Sequence, residues 1–241
     1  MPNGTTTPAA RRIAAELRAL GSPARAAGAA RFFRTGPGEY GEGDRFLGLT
    51  VPQIRGVVRA HRGLPLDDAV ALLHSGWHEE RLAALLLLVD AHARSRSDAE
   101  RRAIHEAYLA HMALVNNWDL VDASAEHLVG PHVAPDDLAL LDRLAAAESL
   151  WERRIAMLAT FHHIKQGTFG PALHVAERLL GDRHDLIHKA VGWMLREIGK
   201  RDQRVEEAFL QRHLGRLPRT TLRYAIERFD APLRQRYMTK A

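Results

Sequence analysis

The 241-residue chain contains no cysteine, which excludes disulfides, thiolate zinc sites and a cysteine nucleophile. No apolar run approaches the roughly 18 residues that span a bilayer. The longest, "LAALLLLV" at 82–89, has the length of a buried helix. The opening "MPNGTTTPAARRIAAELRAL" interleaves apolar residues with Arg and lacks the unbroken apolar core of a secretion signal. Convincing period-two alternation is also missing, so strands are not expected. These absences point to a soluble cytoplasmic protein.

Metal-ligand spacing is missing despite 14 His. "HEERL" at 78–82 begins like a zincin helix, but Leu82 stands where the second His is needed. His162 and His163 are adjacent and point about 100° apart on a helix, which suits no single ion. Neither a metal nor a cofactor is expected.

What is present reads as helix nearly throughout. Apolar residues recur at three- and four-residue spacings, as in Ile13, Leu17 and Leu20. Thr50 to Gln53 and Ser97 to Glu100 are capping-box patterns, and Gly167 after "FHHIKQ" is a C-cap candidate. Helix starts fall near 8, 22, 51, 66, 78, 98, 117, 135, 149, 170, 185, 203, 218 and 230. Pairs spaced by about 30–40 residues suggest an all-α, superhelical solenoid of HEAT-like repeats in a single domain over 1–241. A compact irregular all-α domain is the other reading. The segment "RTGPGEYGEGDRF" at 34–46 breaks the rhythm. Its Gly36, Gly38 and Gly41 mimic a dinucleotide fingerprint, but no strand precedes them and Glu39 and Glu42 would repel a pyrophosphate. A mobile glycine-rich loop is expected.

Charge is unevenly spread. Residues 151–241 hold 18 Lys/Arg against 10 Asp/Glu, whereas 1–150 hold 16 against 19. A basic region is the footprint of a polyanion partner, nucleic acid first. An Arg-rich chain that simply drifts basic explains the charge equally well.

Three Trp-bearing stretches carry the candidate chemistry. In "NNWDLVDAS" (116–124), Trp118 and Asp122 are i and i+4 on one helix face, while Asp119 points elsewhere and suits the first-turn dipole. Asn116 or Asn117 can cap that helix. Asp122 has less structural excuse than Asp119, although pairing with a nearby Arg would also account for it. In "SLWERRIAMLATF" (149–161), Arg154 sits at the margin of an apolar line. In "IHKAVGWMLREIGKRD" (187–202), Trp193, Arg196 and Lys200 share a face. Cations for phosphates beside an aromatic plane suit a nucleic-acid groove, and a core Trp with snorkelling basic residues is the plain alternative.

With "FLGLTVPQIR" (46–55), these stretches in order resemble the AlkD family of DNA glycosylases, HEAT-like-repeat enzymes that remove alkylated purines. The resemblance covers most of the chain. It implies a solenoid with a concave basic groove and a monomer that acts on duplex DNA containing alkylated purines. It implies hydrolysis of the N-glycosidic bond of cationic N3- or N7-alkylated purines without base flipping, with bulky adducts accepted. Asp122 then matches the catalytic aspartate, Trp118 and Trp193 the tryptophans flanking the damaged nucleotide, and Arg154 the arginine near the scission-site phosphate. Arg196, Lys200 and Arg55 match DNA-binding positions, and His162 and Lys165 fall in the same region. Departures are Asn117, where some relatives carry Trp, and His162, where some carry Lys. No membrane or obligate protein partner is implied, and the expected location is cytoplasmic and nucleoid-associated. The alternative is a HEAT-repeat DNA-binding module without catalysis, and a third reading is a protein-interaction scaffold.

Overall fold

The computed structural model describes residues 7–240. The first six residues, part of the stretch in which no secretion signal is read, lie outside the described residues. The chain divides into two compact units, residues 1–128 and 129–241. The described residues are helical with no strand, and their one extended pairing is an isolated bridge between Arg45 and Trp77. The all-α expectation holds. No helix among the described residues is long and apolar enough to cross a membrane.

The first unit contains α1 (Pro8–Ala19), α2 (Pro23–Phe32), α3 (Val51–Ala60), α4 (Leu66–Leu73), α5 (His78–Arg94), α6 (Asp98–Ala110), α7 (Trp118–Asp122) and α8 (Ala125–Leu128). Helix α5 is its axis and packs against α1, α3, α4, α6, α7 and α8. Its apolar run explains why. Leu82, Ala83, Ala84, Leu85, Leu87 and Leu88 are all buried, and a helix that is apolar all round needs neighbours all round. Less expected is that His78, Glu79, Glu80 and Arg81, the four polar residues that begin α5, are buried as well.

Each of these finds partners. The Glu79 carboxylate accepts the backbone N–H of Leu47 (2.8 Å), Gly48 (2.7 Å) and Leu49 (3.1 Å). It thereby fixes the turn leading into α3. Gly48 has φ +80, and a Cβ there would lie 2.3 Å from the Ser22 carbonyl, so only glycine lets the chain pass. Glu80 takes two hydrogen bonds from Arg18 of α1 (2.6 and 3.1 Å) and one from Ser75 (2.6 Å).

The second unit contains α9 (Ala139–Ala145), α10 (Leu150–Ala159), α11 (Phe161–Lys165), α12 (Gly170–Leu179), α13 (Asp185–Gly199), α14 (Gln203–His213), α15 (Arg219–Ala225) and α16 (Ala231–Lys240). Helix α13 is the axis here, against α10, α11, α12, α14 and α15. Gly192 marks its tightest crossing: a Cβ there would lie 2.5 Å from both the Thr221 carbonyl and the Tyr224 Cβ. The neighbouring Trp193 remains half-buried.

Most expected helix starts lie within a residue of the observed ones, and the exceptions have local causes. Helix α9 begins at Ala139 rather than near 135, because the Asp137 carboxylate accepts the Ala139 N–H (3.2 Å) and holds the preceding residues in a turn. Two segments read as continuous are each broken. Ser124 donates its hydroxyl to the Leu120 carbonyl (2.6 Å) between α7 and α8, and Thr160 donates to Met157 (2.6 Å) between α10 and α11. Hydroxyls that take up backbone carbonyls compete with the helix ladder. At α3 the Gln53 side chain accepts the Thr50 N–H (2.9 Å) as the capping pattern requires. At α6 Ser97 accepts from Glu100 (3.2 Å), but the Glu100 carboxylate reaches back to Arg96 instead of Ser97. Gly167 follows α11 at φ +77.

Removing the Glu79 carboxylate strands three backbone donors at a buried site. We expect Glu79→Ala to lose about 3 kcal/mol or more of unfolding free energy, since each buried unsatisfied donor costs about 1–3 kcal/mol. Urea unfolding of the two proteins measures it, and a midpoint unchanged from wild type would show that water replaces the carboxylate.

Candidate active site

In the first unit the candidate residues gather on α7, a helix of only five residues. So short a helix does not hold itself together in water, so its placement comes from its anchors. The buried Asn117 is the N-cap, its side-chain oxygen accepting the Trp118 N–H (2.8 Å). Asn116 accepts from Arg81 (3.1 Å). Leu120 and Val121 are fully buried. Trp118 and Asp122 sit half-buried on the remaining face. The position where some relatives of the resembling family carry Trp is thus taken up structurally by Asn117.

Asp119 does more than suit a dipole. Its carboxylate is 2.7 Å from His78 Nε2, while His78 Nδ1 is 2.7 Å from Asp44. Asp44 in turn accepts from Arg81 (2.7 Å) and Asn117 (3.4 Å). Burial pushes the His78 imidazole down, but its bonds to Asp119 and Asp44 outweigh this and raise its pKa to about 9. Burial likewise opposes ionisation of Asp44, yet His78 and Arg81 hold its carboxyl below the usual value. Two negative and two positive groups therefore balance in one small volume.

Asp44 brings the glycine-rich loop into this arrangement. Within the loop the Glu39 and Glu42 carboxylates accept the N–H of Gly36 and Gly38 (both 2.9 Å), and Gly41 donates to the Arg34 carbonyl (3.1 Å). The amides that suggested a dinucleotide cradle are thus occupied by the loop's own carboxylates. Aromatic contacts complete the link. Phe33 stacks on Trp118 (5.1 Å, 20°) and on Phe46 (5.0 Å, 16°), and lies 5.0 Å from the His78 ring. Phe32, 65% exposed, stands edge-on to Trp118 at 5.8 Å.

Behind α7, Tyr108 is fully buried with its hydroxyl 3.1 Å from Ser124 Oγ. Burial pushes its phenol up, and the nearby negative charge of Asp122 pushes it further. Asp122 is therefore neither sealed in the core nor remote from it. Arg55, on α3, is exposed.

In the second unit, the buried Glu197 organises most of the remaining candidates. It accepts from Lys200 Nζ (2.5 Å), Trp193 Nε1 (3.3 Å) and Arg201 (3.3 Å). Burial opposes its charge, but Lys200, Trp193 and Arg201 hold its carboxyl below the usual value. Phe161 adds a second ring 6.0 Å from Trp193, with Lys165 Nζ 4.5 Å above its face and Arg201 at 6.0 Å. Trp193, Lys200 and Lys165 are thus brought together. Arg196 is separate and pairs with Glu227. Arg154 is buried, with one guanidinium nitrogen 2.5 Å from the Leu186 carbonyl. His162 is half-buried beside Gln166 (3.0 Å).

Sequence reading missed several participants. Asp44 and His78 lie far from Asp119 in the chain, and no local pattern joins them. Phe161 and Glu197 do sit four residues from Lys165 and Trp193, and Arg201 four from Glu197, so i+4 bookkeeping begun at the known candidates would have found them. Among the described residues no group of three His, Asp or Glu could hold a metal ion.

A family model described as DNA alkylation repair enzyme matches residues 13–229. Among solved structures the chain is similar to one described as a predicted DNA alkylation repair enzyme from Enterococcus faecalis. The TM-score is 0.67 with 18% identity, covering 88% of this chain and 98% of that chain. At that identity the likeness shows the fold. No curated protein matches.

A protonated His78 makes stability pH-dependent. Its contribution is complete below its ordinary value of 6.5 and is lost as pH rises through about 9. Calorimetry across that window should show a falling Tm, with the fall reduced in His78→Gln. Identical pH dependence in the two proteins would mean that His78 is uncharged.

Proposed function

This chain belongs to the DNA alkylation repair enzyme family, and from that premise we propose that it is a monofunctional DNA glycosylase for cationic N3- or N7-alkylated purines. The observation that carries the reading is the placing of Trp118 and Asp122: one face of one short helix, half-exposed, anchored by every other residue of that helix.

The chemistry suits those groups. A purine alkylated at N3 or N7 carries positive charge and departs neutral when it takes the electrons of the C1′–N bond. Little acid catalysis is needed. The sugar left behind has oxocarbenium character, which a fixed carboxylate stabilises, and the same carboxylate orients water for attack at C1′ and accepts its proton. We assign this role to Asp122. Trp118 supplies an aromatic face for the cationic sugar, and the family resemblance gives Trp193 a like role. Lys165, Arg196 and Lys200 supply phosphate contacts, joined by Arg201, with Arg55 and His162 as further contacts, and the family resemblance gives Arg154 a place near the scission-site phosphate.

Charge supports a nucleic-acid partner. Residues 129–241 hold 19 Lys/Arg against 14 Asp/Glu, and 1–128 hold 15 against 15, so the whole excess lies in the second unit. Lysine usage supports hydrolysis without strand cleavage. The four lysines are 165, 189, 200 and 240, so the unit containing Asp122 has no lysine side chain to form a Schiff base. Direct attack on an unflipped lesion, and hence tolerance of bulky adducts, follows from the family resemblance.

Asp122→Asn should lose most release of 7-methylguanine or 3-methyladenine from methylated duplex DNA while still binding the duplex. Mass spectrometry of released bases and a binding titration test this together. Excision at the wild-type rate would leave Asp122 without a catalytic role, and binding without excision by the wild type would favour the non-catalytic module. Lys200→Ala and Arg201→Ala should each flatten the dependence of log K on log salt by about one unit. Salt-insensitive DNA binding would favour the protein-interaction scaffold.

A further inference from the structure

Neither ring nitrogen of His78 can act as an acceptor where it lies. Nδ1 faces Asp44 and Nε2 faces Asp119, each at 2.7 Å. Ionised carboxylates only accept, so both nitrogens must donate, and the ring carries a full charge. The charged groups around it are Asp44 from the glycine-rich loop, Asp119 from α7 and Arg81 from its own helix. Its neighbours on α5 turn away: Glu79 caps residues 47–49, and Glu80 binds Arg18 and Ser75. The ring itself lies against Phe46 (4.5 Å, 26°) and Phe33 (5.0 Å), and Phe33 continues onto Trp118.

We propose that His78, clamped between Asp44 and Asp119, is a positioning residue for base excision, locking the glycine-rich loop to α7 and thereby setting where Trp118 and Asp122 point. The inference rests on Asp122 as the catalytic carboxylate. Helix α7 is too short to keep its own orientation, and Trp118 and Asp119 join it to the loop side through Phe33 and His78. A second effect works through charge. Asp119 and Asp122 are i and i+3, neighbours on the helix surface. His78 takes up the charge of Asp119, so Asp122 ionises without a bare carboxylate beside it. Losing the clamp frees the rotation of α7 and raises the proton affinity of Asp122.

The test uses full-length protein in excess over a duplex containing a single 7-methylguanine, with Asp122→Asn as control. In His78→Gln the single-turnover rate should fall about 10–100-fold, the scale of a misplaced reacting group, with binding to an undamaged duplex little changed. The acidic limb of its pH profile should move upward. The wild-type rate, corrected for spontaneous release, should decline as pH rises through about 9. In Asp44→Asn, which removes one of the two charges holding the proton, that decline should begin at lower pH. A third readout needs no catalysis: the indole N–H resonance of Trp118, assigned with Trp118→Phe, should shift with the same midpoint in wild type and stay fixed in His78→Gln.

Wild-type rate and pH profile in His78→Gln would overturn the proposal. So would a rate loss matched by an equal loss of duplex binding, or a Trp118 resonance indifferent to pH. If His78→Gln does not fold, the wild-type titration and Asp44→Asn decide. If the wild type releases no base, it is the assignment of Asp122 that fails, and the Trp118 resonance still judges the clamp.

Discussion

Two carboxylates and two cations, Asp44, Asp119, His78 and Arg81, meet at the start of α5 with their charges balanced. Burying a lone charge costs several kcal/mol, and breaking one partner from such a group leaves that cost exposed. The four therefore stand or fall together. Around them the first unit is organised: the loop at 34–46 hangs on Asp44, α7 on Asp119, and the long apolar helix α5 supplies the other two. An otherwise oily helix thus opens with four buried polar residues that tie distant segments to its first turn.

The second unit handles charge differently. Its cations are held by neighbouring carboxylates. Lys200 and Arg201 share Glu197, and Arg196 pairs with Glu227. Because Glu197 is buried, taking both cations away would leave its charge unpaired, a costlier loss than breaking a surface pair. Glu197 also accepts the Trp193 indole N–H, so the ring and the cations answer to one buried acid.

Much of the fold could be read from the sequence because it depends on local signals. Prolines, hydroxyl caps and the three-and-four spacing fix where helices begin, and the apolar run of 82–89 announced the axis of the first unit. The breaks at Ser124 and Thr160 escaped because a hydroxyl within a helix is ordinary until it takes a carbonyl. At the candidate site the pairing of Trp118 with Asp122 needs only the helical repeat. The role of His78 was hidden because its partners lie 34 residues before it and 41 after it. Its sequence context suggested a broken metal motif, whereas in the structure every residue of "HEER" makes buried polar contacts. Arg154 shows how much of a side chain's surroundings the local pattern leaves out. Its position at the margin of an apolar line gave no sign that it would be buried, with one guanidinium nitrogen on the Leu186 carbonyl at the start of α13.

Gly192 bears on how Trp193 can adapt. With the Thr221 carbonyl and Tyr224 pressed against its bare Cα, α13 cannot roll about its own axis without driving backbone into backbone. The indole one residue later is therefore mounted on a rigid bearing. Any adjustment of the indole there falls to torsion about its own side-chain bonds, against its hydrogen bond to Glu197, more than to a shift of the helix that carries it.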